Sequence, residues 1–163
     1  MDPIFSTLLV LIITLIVFGL FENYFHLKSL NKIPIRIHIN GARGKSSVTR
    51  LIAAGLREGK LKTYAKTTGT TPRIINDKGK DLEIHRLRSA SIGEQIKLIR
   101  YFSKKEPDAL VIECMAINPQ YQWVSEQKIV RSTLGVITNV RPDHLDEMGT
   151  SNKQIALSLS NTI

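Results

Sequence analysis

Apolar and polar positions divide the chain into two unlike parts. From Ile4 to Phe21 no charge interrupts the run IFSTLLVLIITLIVFGLF, in which only Ser6, Thr7, Thr14 and Gly19 break the apolar series. After it the pattern becomes periodic. Ile33, Ile35, Ile37 and Ile39 alternate with Pro34, Arg36 and His38, the period of two that predicts a strand. Glycines then mark a turn, and Val48, Leu51, Ile52 and Leu56 recur at helical spacing until Gly59. LKTYA predicts a second short strand, TTGTTP a polar loop, and residues 74–88 a hairpin or insertion turning at NDKGKD. Ser91 and Glu94 have capping-box spacing ahead of a helix that carries Ile92, Ile96, Ile99 and Phe102. DALVIECM and LGVITNV are continuous apolar runs of the kind buried in parallel sheets. A last helix is expected from Asn152 onward, through Ile155, Leu159 and Ile163.

Strands alternating with helices predict an α/β fold with a doubly wound, mostly parallel sheet. Ligands of such sheets gather at the carboxyl ends of the strands, and each polar motif discussed below directly follows a predicted strand. The length, 163 residues, suits one ordinary domain with a single core once the apolar N-terminus is set aside.

As a helix the N-terminal run spans about 27 Å, close to the hydrocarbon thickness of a bilayer. Phe21, Tyr24 and Phe25 follow it, as aromatic residues do at a membrane interface. A cleaved signal peptide would place positive charge ahead of the apolar core and small residues behind it, but only Asp2 precedes the run and no A-x-A pattern follows. Its uniform apolarity also argues against a buried core helix. Lys28, Lys32 and Arg36 come afterwards, so the positive-inside rule predicts a single-pass cell-membrane protein, N-terminus outside and the domain that follows cytoplasmic. The expected organisation is a membrane anchor over 1–26 and one globular domain over 27–163, which the glycine-rich loop described below makes a P-loop ATP-binding domain.

Composition changes this picture in two places. A single cysteine, Cys114, excludes an internal disulfide and a cysteine zinc site; it is expected as a small buried strand residue, and no histidine is predicted beside it to activate a nucleophile. The net charge of +9 is concentrated in residues 60–105, where twelve Lys/Arg face four Asp/Glu. A solvated face accounts for that surplus, as does steering of anions, anionic lipid headgroups among them. Nucleic acid is a weak candidate, since no recognition motif accompanies the charge.

The chemistry centres on Gly41-Ala42-Arg43-Gly44-Lys45-Ser46, which follows a predicted strand and opens a helix. Gly41 and Gly44 let the backbone approach a phosphate chain, and the helix start offers unpaired N–H groups and a favourable dipole. Lys45 is placed to reach the β- and γ-phosphates and the Ser46 hydroxyl to ligate Mg²⁺. The loop is a shortened variant, because Ile39 stands where the general pattern has its first glycine. Glu113, at the end of the apolar run DALVIE, His144 in NVRPDHLDEMG and a hydroxyl of TTGTTP could converge with Ser46 on a magnesium that keeps water and phosphate as its other ligands. Asp143 and Asp146 read as turn and cap residues.

NGARGKSS, TTGTTP, VIECMA and TNVRPDHLDEMG, in this order, resemble the central ATP-binding domain of the Mur ligase and folylpolyglutamate synthase superfamily. With the N-terminal apolar segment, TTGTTPRI, GEQ and ECMAINPQYQ, the arrangement looks most like the ligase subunits of poly-γ-glutamate (capsule) synthases, over nearly the whole chain. The resemblance implies an ATP-dependent, ADP-forming acid–amino-acid ligase in which a carboxylate is phosphorylated and an amine displaces phosphate. It implies a nucleotide-binding set of Asn40, Gly41, Ala42, Arg43, Gly44, Lys45, Ser46 and Ser47, with Lys45 and His144 catalytic. Ser46, Glu113 and His144 would hold Mg²⁺, and Thr70 or Thr71 a second metal or the γ-phosphate. Implied partners are glutamate, the growing poly-γ-glutamate chain and other membrane subunits of the synthase. Two departures stand out. Beyond His144 the segment IALSLSNTI has no lysine to match the carbamylated lysine common in Mur enzymes, and the family continues past Ile163, so the chain is expected to be an N-terminal portion that falls short of a competent ligase alone. The alternatives are a membrane-anchored P-loop kinase acting on a lipid or sugar, and a truncated, non-catalytic nucleotide-binding assembly subunit.

Overall fold

The computed structural model describes residues 2–69, 71–84 and 91–163. Six strands form one sheet: β1 Ile35–Asn40, β2 Thr63–Thr67, β3 Arg73–Ile75, β4 Asp81–Glu83, β5 Ala109–Glu113 and β6 Leu134–Ile137. Their order is β4-β3-β2-β5-β1-β6; β2, β5, β1 and β6 run parallel, while β3 and β4 form an antiparallel meander at one edge. The α/β, mostly parallel architecture is therefore as the hydrophobic pattern predicts. The expected hairpin is β3–β4, turning at Asn76, whose side chain accepts from the Lys78 and Lys80 amides. The remainder of that segment, from residue 85, lies outside the described residues.

Helix α1, Pro3–Leu30, is unbroken and continues past residue 26 into the globular part. It is long and apolar enough to cross a membrane, and its apolar window is not covered by the rest of the chain. Its final turns are gripped: His26 donates to the Ile129 carbonyl at 2.8 Å, and Leu30 is buried.

Two apolar layers flank the sheet. On one face α2, Lys45–Glu58, packs Val48, Ile52 and Leu56 against Ile37, Ile39, Ala65 and Val111. On the other, the end of α1 and α3, Glu94–Ser103, bring Leu30, Ile99 and Phe102 onto Tyr64, Leu110 and Ile112. The connection from β5 to β6 is helical, α4 Pro119–Val124 running into a π-helical segment Ser125–Val130, an element the periodicity did not reveal. Parallel strands need such a crossover, and Asn118 capping the Gln120 amide with Pro119 at the first helical position was its local signal. Two short helices follow β6: α5 Leu145–Met148 and α6 Asn152–Leu159, which starts on a Ser151–Gln154 capping box.

Two local expectations are corrected. Ser91 and Glu94 form no capping box: the helix begins after Gly93, Ser91 Oγ accepts from the Gly93 amide, and Glu94 turns to Lys66 at 3.6 Å. The run LGVITNV is not sealed on both sides; β6 pairs only with β1 among the described residues, which leaves Leu134 55% exposed.

Candidate functional site

Strand β1 ends at Asn40, and the chain turns through Gly41, with φ of +133°, and Gly44, with φ of +78°, into α2. At Gly41 glycine is required by space as well as by conformation: a Cβ there would lie 2.1 Å from Thr138 Oγ1. The loop is clamped from the neighbouring strand's exit. The Ala42 amide donates to the Asn139 carbonyl and the Arg43 amide to Asn139 Oδ1, while Thr138 Oγ1 and Asn139 Nδ2 both donate to the Arg43 carbonyl. Gly44 offers no side-chain cap, so the first amides of α2 keep their donors for an anion at the loop mouth.

Lys45 folds back over this loop, its Nζ donating to the Gly41 carbonyl at 2.7 Å. Ser46, on the first turn of α2, donates to Glu113 Oε2 at 2.7 Å. The same carboxylate oxygen accepts from the Thr68 amide at 2.8 Å, just past β2. Loop, helix start and the carboxyl ends of β2 and β5 thus converge on one buried acid.

These groups border a cleft of about 310 Å³, lined among others by Gly41, Lys45, Thr68, Glu113, Asp143 and His144. His144 sits in the left-handed conformation, φ +47°, at the start of α5, with Nε2 3.8 Å from Asp143 Oδ1. Asp143 in turn pairs with Arg43 at 3.4 Å, drawing the Arg43 side chain across the rim rather than into the cleft. Of the residues singled out in the sequence, Gly41, Ala42, Lys45, Glu113 and His144 line this cleft, and Ser46 joins it through Glu113. Ser47 and Thr71 are exposed outside the lining, and Thr70 lies outside the described residues. Asn40 is buried beneath the loop, accepting from the Gly41 amide and donating to Gln122 Oε1. Asp143, read from the sequence as a turn residue, lines the cleft, Thr68 was covered only as one of the TTGTTP residues, and the braces Thr138 and Asn139 were not singled out, although their position just after β6 was the available signal.

Behind the loop lies a buried pair. His38, on the β1 face opposite α2, meets Glu126 Oε2 with Nδ1 at 2.7 Å. Burial works against its positive charge, but the nearby Cys114 sulfur and the Glu126 carboxylate bonded to Nδ1 prevail and raise the imidazole to about 9. Burial likewise opposes the Glu126 charge, and the bonds from His38 and Ser132 hold its carboxyl below the usual range. The expectation that Cys114 has no histidine beside it is therefore overturned. Glu126 also accepts from the Ser132 amide and hydroxyl, which fixes the end of the π-helical segment.

Hard oxygen donors side by side, Ser46 Oγ and Glu113, fit a magnesium ion that retains water and phosphate oxygens. Among the described residues no three His, Cys, Asp or Glu side chains group together.

A family model, Mur ligase middle domain, matches residues 39–158. The chain is 43% identical over 152 residues to the capsule biosynthesis protein CapB of Bacillus anthracis, covering 91% of this chain and 32% of that protein. It is 40% identical over 151 residues to the PGA synthase CapB of Bacillus subtilis strain 168, covering 91% and 38%. The chain thus spans about a third of the length of the curated relatives it matches. Among solved structures, E. coli FolC in complex with ADP, without folate substrate, superposes with a TM-score of 0.67 at 15% identity, over 86% of this chain and 38% of that one.

Proposed function

The chain belongs to the Mur ligase family through its middle domain, and on that premise we propose that it is the nucleotide-binding part of an ATP-dependent ligase that extends poly-γ-glutamate at a membrane. The observation that carries the reading is the meeting of Ser46, the Thr68 amide and Glu113 beside the Lys45 loop, at the carboxyl ends of adjacent parallel strands. Capsule biosynthesis and PGA synthesis are what the two CapB relatives are named for, and the identities of 43% and 40% support carrying that substrate class over.

In this function the loop from Gly41 to Ser46 cradles the triphosphate with backbone N–H groups and the α2 dipole. Lys45 leaves the Gly41 carbonyl for the β- and γ-oxygens, exchanging a neutral acceptor for an anionic one. Ser46 and Glu113, with His144 of the same cleft, would hold Mg²⁺, which would supply charge neutralisation on the phosphates. A substrate carboxylate oxygen attacks the γ-phosphorus as the bond to ADP breaks. The incoming amine then attacks the acyl carbon of the mixed anhydride, the C–O bond to phosphate breaks, and the amine loses a proton. Hydroxide is a poor leaving group and phosphate a good one, so the protein's work is positioning and charge stabilisation. We place α1 across the membrane with the cleft on the cytoplasmic side, following the cations that succeed the apolar run.

Glutamate-dependent ADP release from membranes carrying the wild-type protein, Lys45→Ala or His144→Ala is the test. Stimulation in the wild type and at least tenfold loss in both variants is expected. Equal stimulated release from all three would refute the assignment, and a phosphorylated lipid or sugar product would assign the cleft to a kinase.

A further inference from the structure

The basic surplus between residues 60 and 105 takes no part in the phosphate cleft, and its densest portion lies on α3 and its exit: Lys97, Arg100, Lys104 and Lys105. The buried face of α3 carries Gln95, Ile99, Phe102 and Ser103, so Lys97, Tyr101 and Lys104 project together on the exposed side, spaced by three to four residues. Arg100 fixes the height of this stripe. Its Nη2 donates to the Glu22 carboxylate at 3.1 Å and to the Glu22 carbonyl at 3.2 Å. Glu22 is the first charged residue after the apolar run of α1.

We propose that the Lys97–Tyr101–Lys104 face of α3 docks on the anionic phospholipid headgroups of the leaflet from which α1 emerges. The proposal rests on the reading of α1 as a membrane anchor. If the run from Ile4 to Phe21 fills the hydrocarbon, Glu22 lies at its polar boundary, and Arg100 with it. Lys97, Tyr101 and Lys104 are within one helical turn of Arg100, about 6 Å along the axis. The headgroup zone is about 5–8 Å deep on each side of the bilayer, so the stripe lies within reach of it. No linker separates anchor from domain, and His26 and Leu30 pin the same helix to the same layer, so the height is set by packing. The side chains suit an interface: Lys105 lies 5.6 Å over the Tyr101 ring, an aromatic body with cationic tips. Of the acids around the stripe, Glu22 is engaged by Arg100 and Glu94 by Lys66, while Glu106, exposed just past Lys105, leaves the face net positive with Lys97, Lys104 and Lys105.

The experiment uses the full chain in phosphatidylcholine vesicles with or without phosphatidylglycerol, with acylation of each lysine followed by mass spectrometry. Lys60, exposed after α2 in the opposite layer, is the internal control. Lys97 and Lys104 are expected to react about fivefold more slowly in the anionic vesicles, with high salt restoring the rate. In Lys97→Glu/Lys104→Glu the lipid-dependent protection of Lys105 should vanish. Equal rates in both vesicles, or protection found only in native membranes and not in protein-free lipid, would overturn the proposal, the latter assigning the face to a protein partner. Release of the chain by alkaline carbonate would overturn the anchor and the proposal together, whereas a retained chain with equal rates overturns the proposal alone.

Discussion

Ser46 and Glu113 are joined by a hydroxyl–carboxylate hydrogen bond of 2.7 Å across 67 residues of sequence. That bond ties the first turn of α2 to the end of β5, and the Thr68 amide adds the end of β2 to the same oxygen. A buried carboxylate that accepts from a hydroxyl and an amide is suited to a cation that brings its own remaining ligands.

Among the described residues Lys45 Nζ hydrogen-bonds to the Gly41 and Ala42 carbonyls of its own loop, so its removal should affect binding far more than stability. Lys45→Ala is expected to lower ATP affinity about a hundredfold, the value of one or two charge-assisted phosphate contacts at about 1.5–3 kcal/mol each. Thermal unfolding should move by no more than one or two degrees. Calorimetric titration and a melting curve on the same preparation check both.

Gly41 and Gly44 both have positive φ but differ in surroundings. Gly41→Ala would drive a methyl to 2.1 Å from Thr138 Oγ1, whereas Gly44→Ala opens into free space and bears backbone strain alone. The first should cost about 3 kcal/mol or more and the second about 1 kcal/mol. Denaturant unfolding of the two variants decides it; equal losses would mean that the loop relaxes away from Thr138.

The His38–Glu126 pair predicts a pH dependence. His38 is raised from 6.5 to about 9 on folding, so its contribution is fully present below pH 6.5 and is lost as the pH rises through 9. Glu126 is lowered from 4.5, so its contribution is present above that value and fades as the pH falls through the lower folded one. Stability from this pair should peak between about pH 5 and 6.5, declining by up to about 3 kcal/mol toward pH 9. Melting temperature against pH should show that slope in the wild type, and Glu126→Gln should flatten it.

What the sequence disclosed follows from how local each feature is. The phosphate loop was legible because strand, glycines, Lys45, Ser46 and helix are contiguous. Glu113 and His144 were legible because each directly follows a run that reads as a strand. The polar face of β1 was not. Alternation at Arg36, His38 and Asn40 suits a strand with one face in water, yet His38 and Asn40 are buried and matched to Glu126 and Gln122 over separations of 88 and 82 residues. Their partners sit on the helical crossover after β5, where no regular apolar period announces a helix. The Ser91–Glu94 capping box failed for a related reason: Lys66, buried in β2, offers Glu94 a stronger partner than a backbone amide.

The most direct measurement is the magnesium dependence of ATP binding by wild type and Glu113→Gln, compared by calorimetry with and without Mg²⁺. Magnesium should tighten ATP binding to the wild type at least tenfold and have little effect on Glu113→Gln, while affinity for metal-free ATP stays similar in the two. An equal magnesium enhancement in both proteins would contradict the placement of the ion between Ser46 and Glu113.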